Sequence, residues 1–382
     1  MPTAANILHV SVEDIVKNDD PASTERLILA SSADRSFSLL ASHSPYALEK
    51  RKPTLSDSPI LSCAVIANRY LLTTSMSGKL VLSDLRSGDV LDERRDHQKY
   101  VVKVATMTDD ACTWIATAAW DAKVLLYQLS KVGASSESVK LDAPVASLTL
   151  PSNPEAITFI QHPEIATPVL LISRRDSTFL YYYTFHDGSG DGSHSTSKPK
   201  TLVLLGRQNL APHSNAWIAF TPAAFAISPH DPLLLAVATS AVPHLKLIIV
   251  RLLLPPPPTA TISAEPTLNQ VSQARAELAL ADREAAAILI HCTTLAPQTA
   301  YSTPDLAWRP DASGLWVNGD DGVLRGIEAS TGKVVATLTG GHEIGTKIRC
   351  VWAGTVIGND GGEEECMISG GFDRRLVIWK TK

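Results

Sequence analysis

The chain has little of what most function classes need. Its five cysteines, Cys63, Cys112, Cys292, Cys350 and Cys366, are scattered and odd in number. No two have metal-ligand spacing, so neither a disulfide framework nor a zinc site can be read from them. They read instead as small buried hydrophobes of a reducing compartment. A Walker-type Gly-rich loop, His-Glu-x-x-His and Cys-x-x-Cys are all missing, which removes the commonest phosphate, zinc-protease and redox motifs. Positive charge is not in excess: the net charge is −5, which gives no basic field for sequence-independent nucleic-acid binding. No apolar run approaches membrane-spanning length. The first residues, MPTAANILHVSVED, lack the basic and apolar regions of a secretory signal. Together these absences predict a cytoplasmic or nuclear protein with no catalytic residues, metal or cofactor, no direct contact with nucleic acid and no membrane segment.

What is present is apolar sequence cut into short pieces. Hydrophobic residues make up 45% of the chain, enough for a sizeable core. The clearest stretch is the last. Cys366–Ser369 and Leu376–Trp379 are strand-length runs flanking a tight polar turn, Gly370 to Arg375, which is a hairpin signal. Gly341-His342 lies upstream. A buried Asp at Asp373 would need a donor, and the imidazole N–H of His342 can supply one. Ser369 and Trp379 stand four before and six after the Asp.

His342, Ser369, Asp373 and Trp379 in this arrangement resemble the WD40 repeat. The resemblance implies that the four form a buried hydrogen-bonded set with the Trp as cover. The same template meets Asp34, Ser77, Asp121, Asp176, roughly Val242, Asp321 and Asp373 along the chain, most of them 43 to 55 residues apart. A period of this size means a propeller or solenoid. Blade three nearly completes the set with His97, Thr117, Asp121 and Tyr127. Blade six matches through Leu306-Ala307-Trp308 and Gly319-Asp320-Asp321-Gly322. The other copies have lost most of the pattern. The expected fold is an all-β, seven-bladed WD40-type propeller spanning residues 1–382 as a single domain.

Residues 6–12 alternate and read as a strand, and the last hairpin leaves no sequence for a fourth strand. The expectation is that this N-terminal strand closes the ring as the outer strand of the last blade. The inner strand of blade four is either Val145–Leu150 or Ala156–Ile160. Residues 186–198 are Gly/Ser-rich and read as a flexible loop. Residues 255–286 form an insertion in blade five. A proline run opens it, and an amphipathic helix follows, with Leu268, Val271, Ala274, Leu278, Ala281 and Ala285 on one stripe and a capping box at Thr267 and Gln270. The stripe is expected to pack on the propeller.

In a propeller the residue before each turn Asp reaches the rim of the top face. The series is Ala33, Met76, Trp120, Arg175, Ala241, Asp320 and Phe372. Blades seven, one, two and three are neighbours around a ring. They would present Phe372, Ala33, Met76 and Trp120 in one arc, bordered by Arg35, Lys79, Lys123, Arg374 and Arg375. Exposed apolar residues ringed by charge mark a protein-binding patch, and the basic border suits a partner segment that is both acidic and hydrophobic. The leading expectation is a non-catalytic scaffold, monomeric within a hetero-complex. Two alternatives stand beside it. Leu80-Val81-Leu82-Ser83-Asp84-Leu85-Arg86 resembles the end of the box used by WD40 substrate receptors of cullin–RING ligases, although Ser83 replaces the preferred Trp. An enzyme with a site in the central channel would need titratable residues on the inner strands, where Lys103 is the one polar exception noted.

Overall fold

The computed structural model describes residues 3–17, 20–43, 46–52, 55–109, 112–130, 139–161, 168–186, 200–216, 219–257, 270–358 and 362–380. It forms a seven-bladed all-β propeller with one helix. Each blade is an antiparallel sheet of chain-adjacent strands. Blade one holds Ile7–Lys17, Asp20–Ser32, Phe37–Ala41 and Leu48–Lys52. Blade two holds Ile60–Ile66, Tyr70–Ser75, Leu80–Asp84 and Val90–Arg94. Blade three holds Val101–Thr108, Cys112–Ala119, Lys123–Ser130 and Ala146–Thr149. Blade four holds Pro154–Ile160, Val169–Arg174, Phe179–His186 and Thr201–Asn209. Blade five holds Pro222–Ile227, Leu234–Thr239, His244–Arg251 and Ile288–Pro297. Blade six holds Leu306–Trp308, Gly314–Val317, Leu324–Glu328 and Val334–Leu338. Blade seven holds Ile348–Ile357, Glu363–Gly371 and Leu376–Lys380.

The ring is built by apolar faces that a single blade cannot bury alone. Seven clusters fill the seven gaps between blades. Leu29, Phe37, Ile60 and Leu71 join blades one and two. Leu72, Leu82, Ile115 and Tyr127 join two and three, and the series continues around. The last gap, between blades seven and one, is closed by Ile7, Val10, Ile28, Cys350, Ile368 and Leu376. The second and third strands are the most buried, and read as near-continuous apolar runs because both their faces meet a neighbouring blade.

The first strands follow one another around the axis, each touching the next, and Ile7–Lys17 touches both Ile60–Ile66 and Ile348–Ile357. This corrects the expected ring closure. The N-terminal strand is the inner strand of blade one, paired through Val10 with Ala30 and through Val12 with Ile28, and blade seven has three strands among the described residues. The physical reason is chain proximity: the strand finds a long partner in Asp20–Ser32 across a short loop, whereas an outer-strand partner would lie at the other end of the sequence. The N-terminal segment still touches blade seven, where the Thr3 amide donates to the Arg374 carbonyl at 2.7 Å.

Blade four takes Pro154–Ile160 as its inner strand, and Ala146–Thr149 completes blade three. The helix, Gln270–Ala287, lies between the third and fourth strands of blade five. Of the stripe, Ala281 and Ala285 are half-buried while Ala274 is exposed and Leu278 is 59% exposed, and the buried positions of the helix are Glu284 and Ala287, which lie off the stripe. The expectation that the whole stripe covers the propeller is therefore corrected: the first turns project away from the sheet. Leu268 and Thr267, with loop residues 187–198, lie outside the described residues. No described helix is long and apolar enough to cross a membrane.

Candidate functional site

The two hairpin sets come first, because they hold the top-face turns in place. In blade seven, His342 Nδ1 lies 3.0 and 3.1 Å from the Asp373 carboxylate oxygens, and Nε2 lies 2.8 Å from Ser369 Oγ. The Trp379 indole N–H donates to Ser369 Oγ at 2.9 Å. One proton assignment satisfies every group: Nδ1–H donates to the carboxylate, and Nε2 accepts from the hydroxyl. Asp373 also accepts the amides of Glu343 and Arg375. In blade three, His97 Nδ1 lies 3.1 Å from Asp121 Oδ2, and Nε2 lies 2.8 Å from Thr117 Oγ1. The Tyr127 hydroxyl donates to Asp96 at 3.1 Å and also interacts with Thr117.

Burial depresses the His97 and His342 imidazoles below the ordinary histidine value, against the pull of their Asp partners. Desolvation would raise the Asp373 carboxyl, but the His342 hydrogen bond and the two amides outweigh it and hold it low. The sign follows directly. As pH falls below about 6.5, the unfolded chain takes up protons that the folded histidines refuse, so stability is lost. The expected result is a urea midpoint that declines steadily from pH 7.5 to pH 5 and declines less steeply in a His342→Gln variant. A midpoint independent of pH over that range would contradict it.

On the top face, Phe372 is 42% exposed, and Ala33, Met76 and Trp120 are half-buried. Trp120 is a held panel. Its ring stacks on Tyr100 with centroids 5.5 Å apart, and the Arg175 guanidinium lies 4.9 Å from its centroid on the blade-four side. Its indole N–H is buried and has no hydrogen-bond acceptor among the described residues, a costly state inside a protein. Of the basic border, Arg35 and Arg374 are exposed, Lys79 pairs with Glu93 at 2.6 Å, and Arg375 pairs with Glu343 at 3.1 Å. Lys123 is half-buried. No ring contact links Phe372 to Trp120 among the described residues. The arc is two stations: an exposed Phe on blade seven, and a stacked Trp where blades three and four meet.

The second feature is the channel. In six of the seven inner strands the ladder skips the second residue: Leu8, Leu61, Val102, Glu155, Ala223 and Arg349. Such a bulge takes the extra residue out of the pairing and re-aims side chains. Charges from different blades consequently meet near the axis. Burial first, and then the charges of Lys103 and Arg349, push the His9 imidazole down to about 3. Its Nε2 is buried without a partner among the described residues. Arg349 is itself lowered by burial, against the pull of Asp305. Burial raises the Glu155 carboxyl, while Arg175, at 2.7 Å, and Lys103 oppose it. Sequence reasoning named Lys103 alone. It missed His9 because that strand was assigned to the rim. It missed Arg349 and Glu155 because a bulge reverses the alternation from which facing is read.

The Asp84 side chain accepts from Arg69 Nε at 2.9 Å and from the Arg86 amide at 2.7 Å, and Ser83 donates to the Leu71 carbonyl. The segment resembling a cullin-adaptor box thus performs turn chemistry at this site. Among the described residues no three His, Cys, Asp or Glu side chains gather as metal ligands.

The molecule is a β-propeller. A family model described as a beta-propeller domain matches residues 218–380, which span blades five to seven. No curated protein matches the chain.

Proposed function

We propose that this propeller is of WD40 type and serves as a non-catalytic interaction scaffold in a cytoplasmic or nuclear complex, displaying its top face to a partner segment that is both acidic and hydrophobic. The His–Asp–Ser/Thr sets of blades three and seven support the repeat type. The observation that carries the function is Trp120. A half-exposed indole clamped between Tyr100 and Arg175 has lost its rotamer freedom before binding. A preorganised aromatic with an adjacent Arg is the composition of an interface hot spot. The partner's apolar side chains would pack on the exposed part of the Trp120 ring and on Phe372, and its carboxylates would meet the exposed Arg35 and Arg374.

The test is quantitative affinity capture with wild type, Trp120→Ala and Phe372→Ala, each checked for thermal stability. Loss of one stoichiometric partner by roughly thirtyfold or more, as expected for a hot spot of at least about 2 kcal/mol, with melting within a few degrees of wild type, supports the reading. A partner retained by both variants refutes it. So does a large drop in melting temperature, which would make the clamp a structural feature.

A further inference from the structure

Six blades hold four strands each, whereas among the described residues the sheet of blade seven ends at its third, Leu376–Lys380. Along residues 377–379 the outer edge of that strand pairs with no described strand. Such an edge is a template for another chain. The place of a fourth strand can be read from other blades, where it lies against the outer strands of the next blade. Ala146–Thr149 touches Thr201–Asn209, and Ile288–Pro297 touches Leu324–Glu328. A fourth strand in blade seven would therefore lie against Phe37–Ala41 and Leu48–Lys52 of blade one. A cavity of about 200 Å³ opens there, lined by Ile7, Leu40, Leu48 and Leu376 among others. Leu48 is 56% exposed. On the other side Trp316 and Leu338 of blade six are only partly buried. Val377, Ile378 and Trp379 are half-buried too, whereas the third strand of blade two, Leu80–Asp84, is buried throughout.

The edge selects its occupant. A row of backbone N–H and C=O groups is satisfied by extended backbone. Strands lie about 4.8 Å apart, so this edge is recessed by one strand between Val334–Leu338 of blade six and Leu48–Lys52 of blade one. A folded domain, a second copy of this chain included, meets those flanking strands first, and a single extended segment passes between them. Apolar walls on both sides call for a near-continuous apolar run. Charge marks one end. At the lower end Lys380 is already paired with Glu364 at 2.5 Å. At the upper end Arg51 lines the cavity and pairs with Asp34 at 3.0 Å. Thr3 also lines it and donates its amide to the Arg374 carbonyl at 2.7 Å. The Arg374 side chain is exposed and makes no ion pair among the described residues. We propose that the open edge of blade seven accepts an extended apolar segment of a partner protein as a fourth strand. The segment runs antiparallel to Leu376–Lys380, and an acidic residue after its apolar run meets Arg374. This site is separate from the top-face station at Trp120.

The test uses the full chain and a fluorescein-labelled peptide, Thr-Val-Ile-Val-Leu-Asp, read by fluorescence anisotropy. The control peptide, Thr-Pro-Ile-Pro-Leu-Asp, lacks two ladder donors. Saturable one-to-one binding of the first peptide is expected, with the control weaker by roughly tenfold or more. Bound peptide should also slow hydrogen exchange at the amides of residues 377–379. Leu48→Asp places a charge on the cavity wall at an exposed position, so it should melt with wild type yet bind the peptide roughly tenfold or more weakly. Arg374→Gln should remove the preference for this peptide over one ending in Asn. Absence of saturable binding overturns the proposal, as does equal binding of the control peptide or equal binding by Leu48→Asp. A wild-type dimer in sedimentation velocity that Leu48→Asp dissociates also overturns it, because the edge would then be filled by a second copy. Trp120→Ala should bind the peptide as wild type does, so failure here and failure of the scaffold reading are told apart.

Discussion

Asp373→Ala lowers the free energy of unfolding by about 3 to 5 kcal/mol, because it removes a buried carboxylate that accepts three donors, each costing roughly 1 to 3 kcal/mol when left unsatisfied. Both side chains of the His342–Asp373 pair are fully buried. Deleting the carboxylate strands the His342 N–H and the amides of Glu343 and Arg375 together. The control lies one blade away. Asp321 also sits in a hairpin turn, but it pairs with Arg325 at 2.6 Å, is partly exposed and has no histidine. Asp321→Ala should cost only about 1 kcal/mol. Urea denaturation of the two variants checks the difference. Equal costs would mean that the blade-seven set adds nothing beyond ordinary turn chemistry.

The second large effect lies at the ring closure. A Cβ on Gly370 would stand 2.3 Å from Ile7 Cγ2, 2.7 Å from Ile7 Cβ and 2.9 Å from Cys350 Sγ. Gly370→Ala therefore overpacks the gap between blades seven and one and should cost about 1 to 3 kcal/mol or more. Ile7→Ala opens a cavity at the same point and should cost about 2 to 5 kcal/mol. Because Ile7→Ala removes the Cγ2 atom that makes the nearest clash, while its Cβ stays, the double variant should cost less than the sum by about 1 kcal/mol. That non-additivity is specific to an N-terminal strand lying inside the ring against blade seven. Additive costs would place Ile7 elsewhere.

The hairpins, their spacing and the number of blades were legible in the sequence. They rest on local signals: short apolar runs, turn residues, and a Ser/Thr–Asp–aromatic spacing that acts within a dozen residues. The blade-seven set was readable for the same reason, since His342, Ser369, Asp373 and Trp379 stand within forty residues of one another. Tertiary structure decided what depends on closing the ring. Alternation showed that Ile7–Lys17 is a strand, but period-2 patterning does not name the partner, and the short connection to Asp20–Ser32 settled it. That one assignment moved His9 from the rim to the axis. The bulges at Glu155 and Arg349 then overrode the alternation that tells which way a side chain faces. Trp120 could be read as reaching the top rim. Its clamp could not, because Tyr100 and Arg175 come from different blades and meet it only where the ring packs them together. The sequence by itself determined the repeating unit, because each hairpin is stabilised by neighbours along the chain. The ring decided the sites, because each is made of residues that share nothing but their position around one axis.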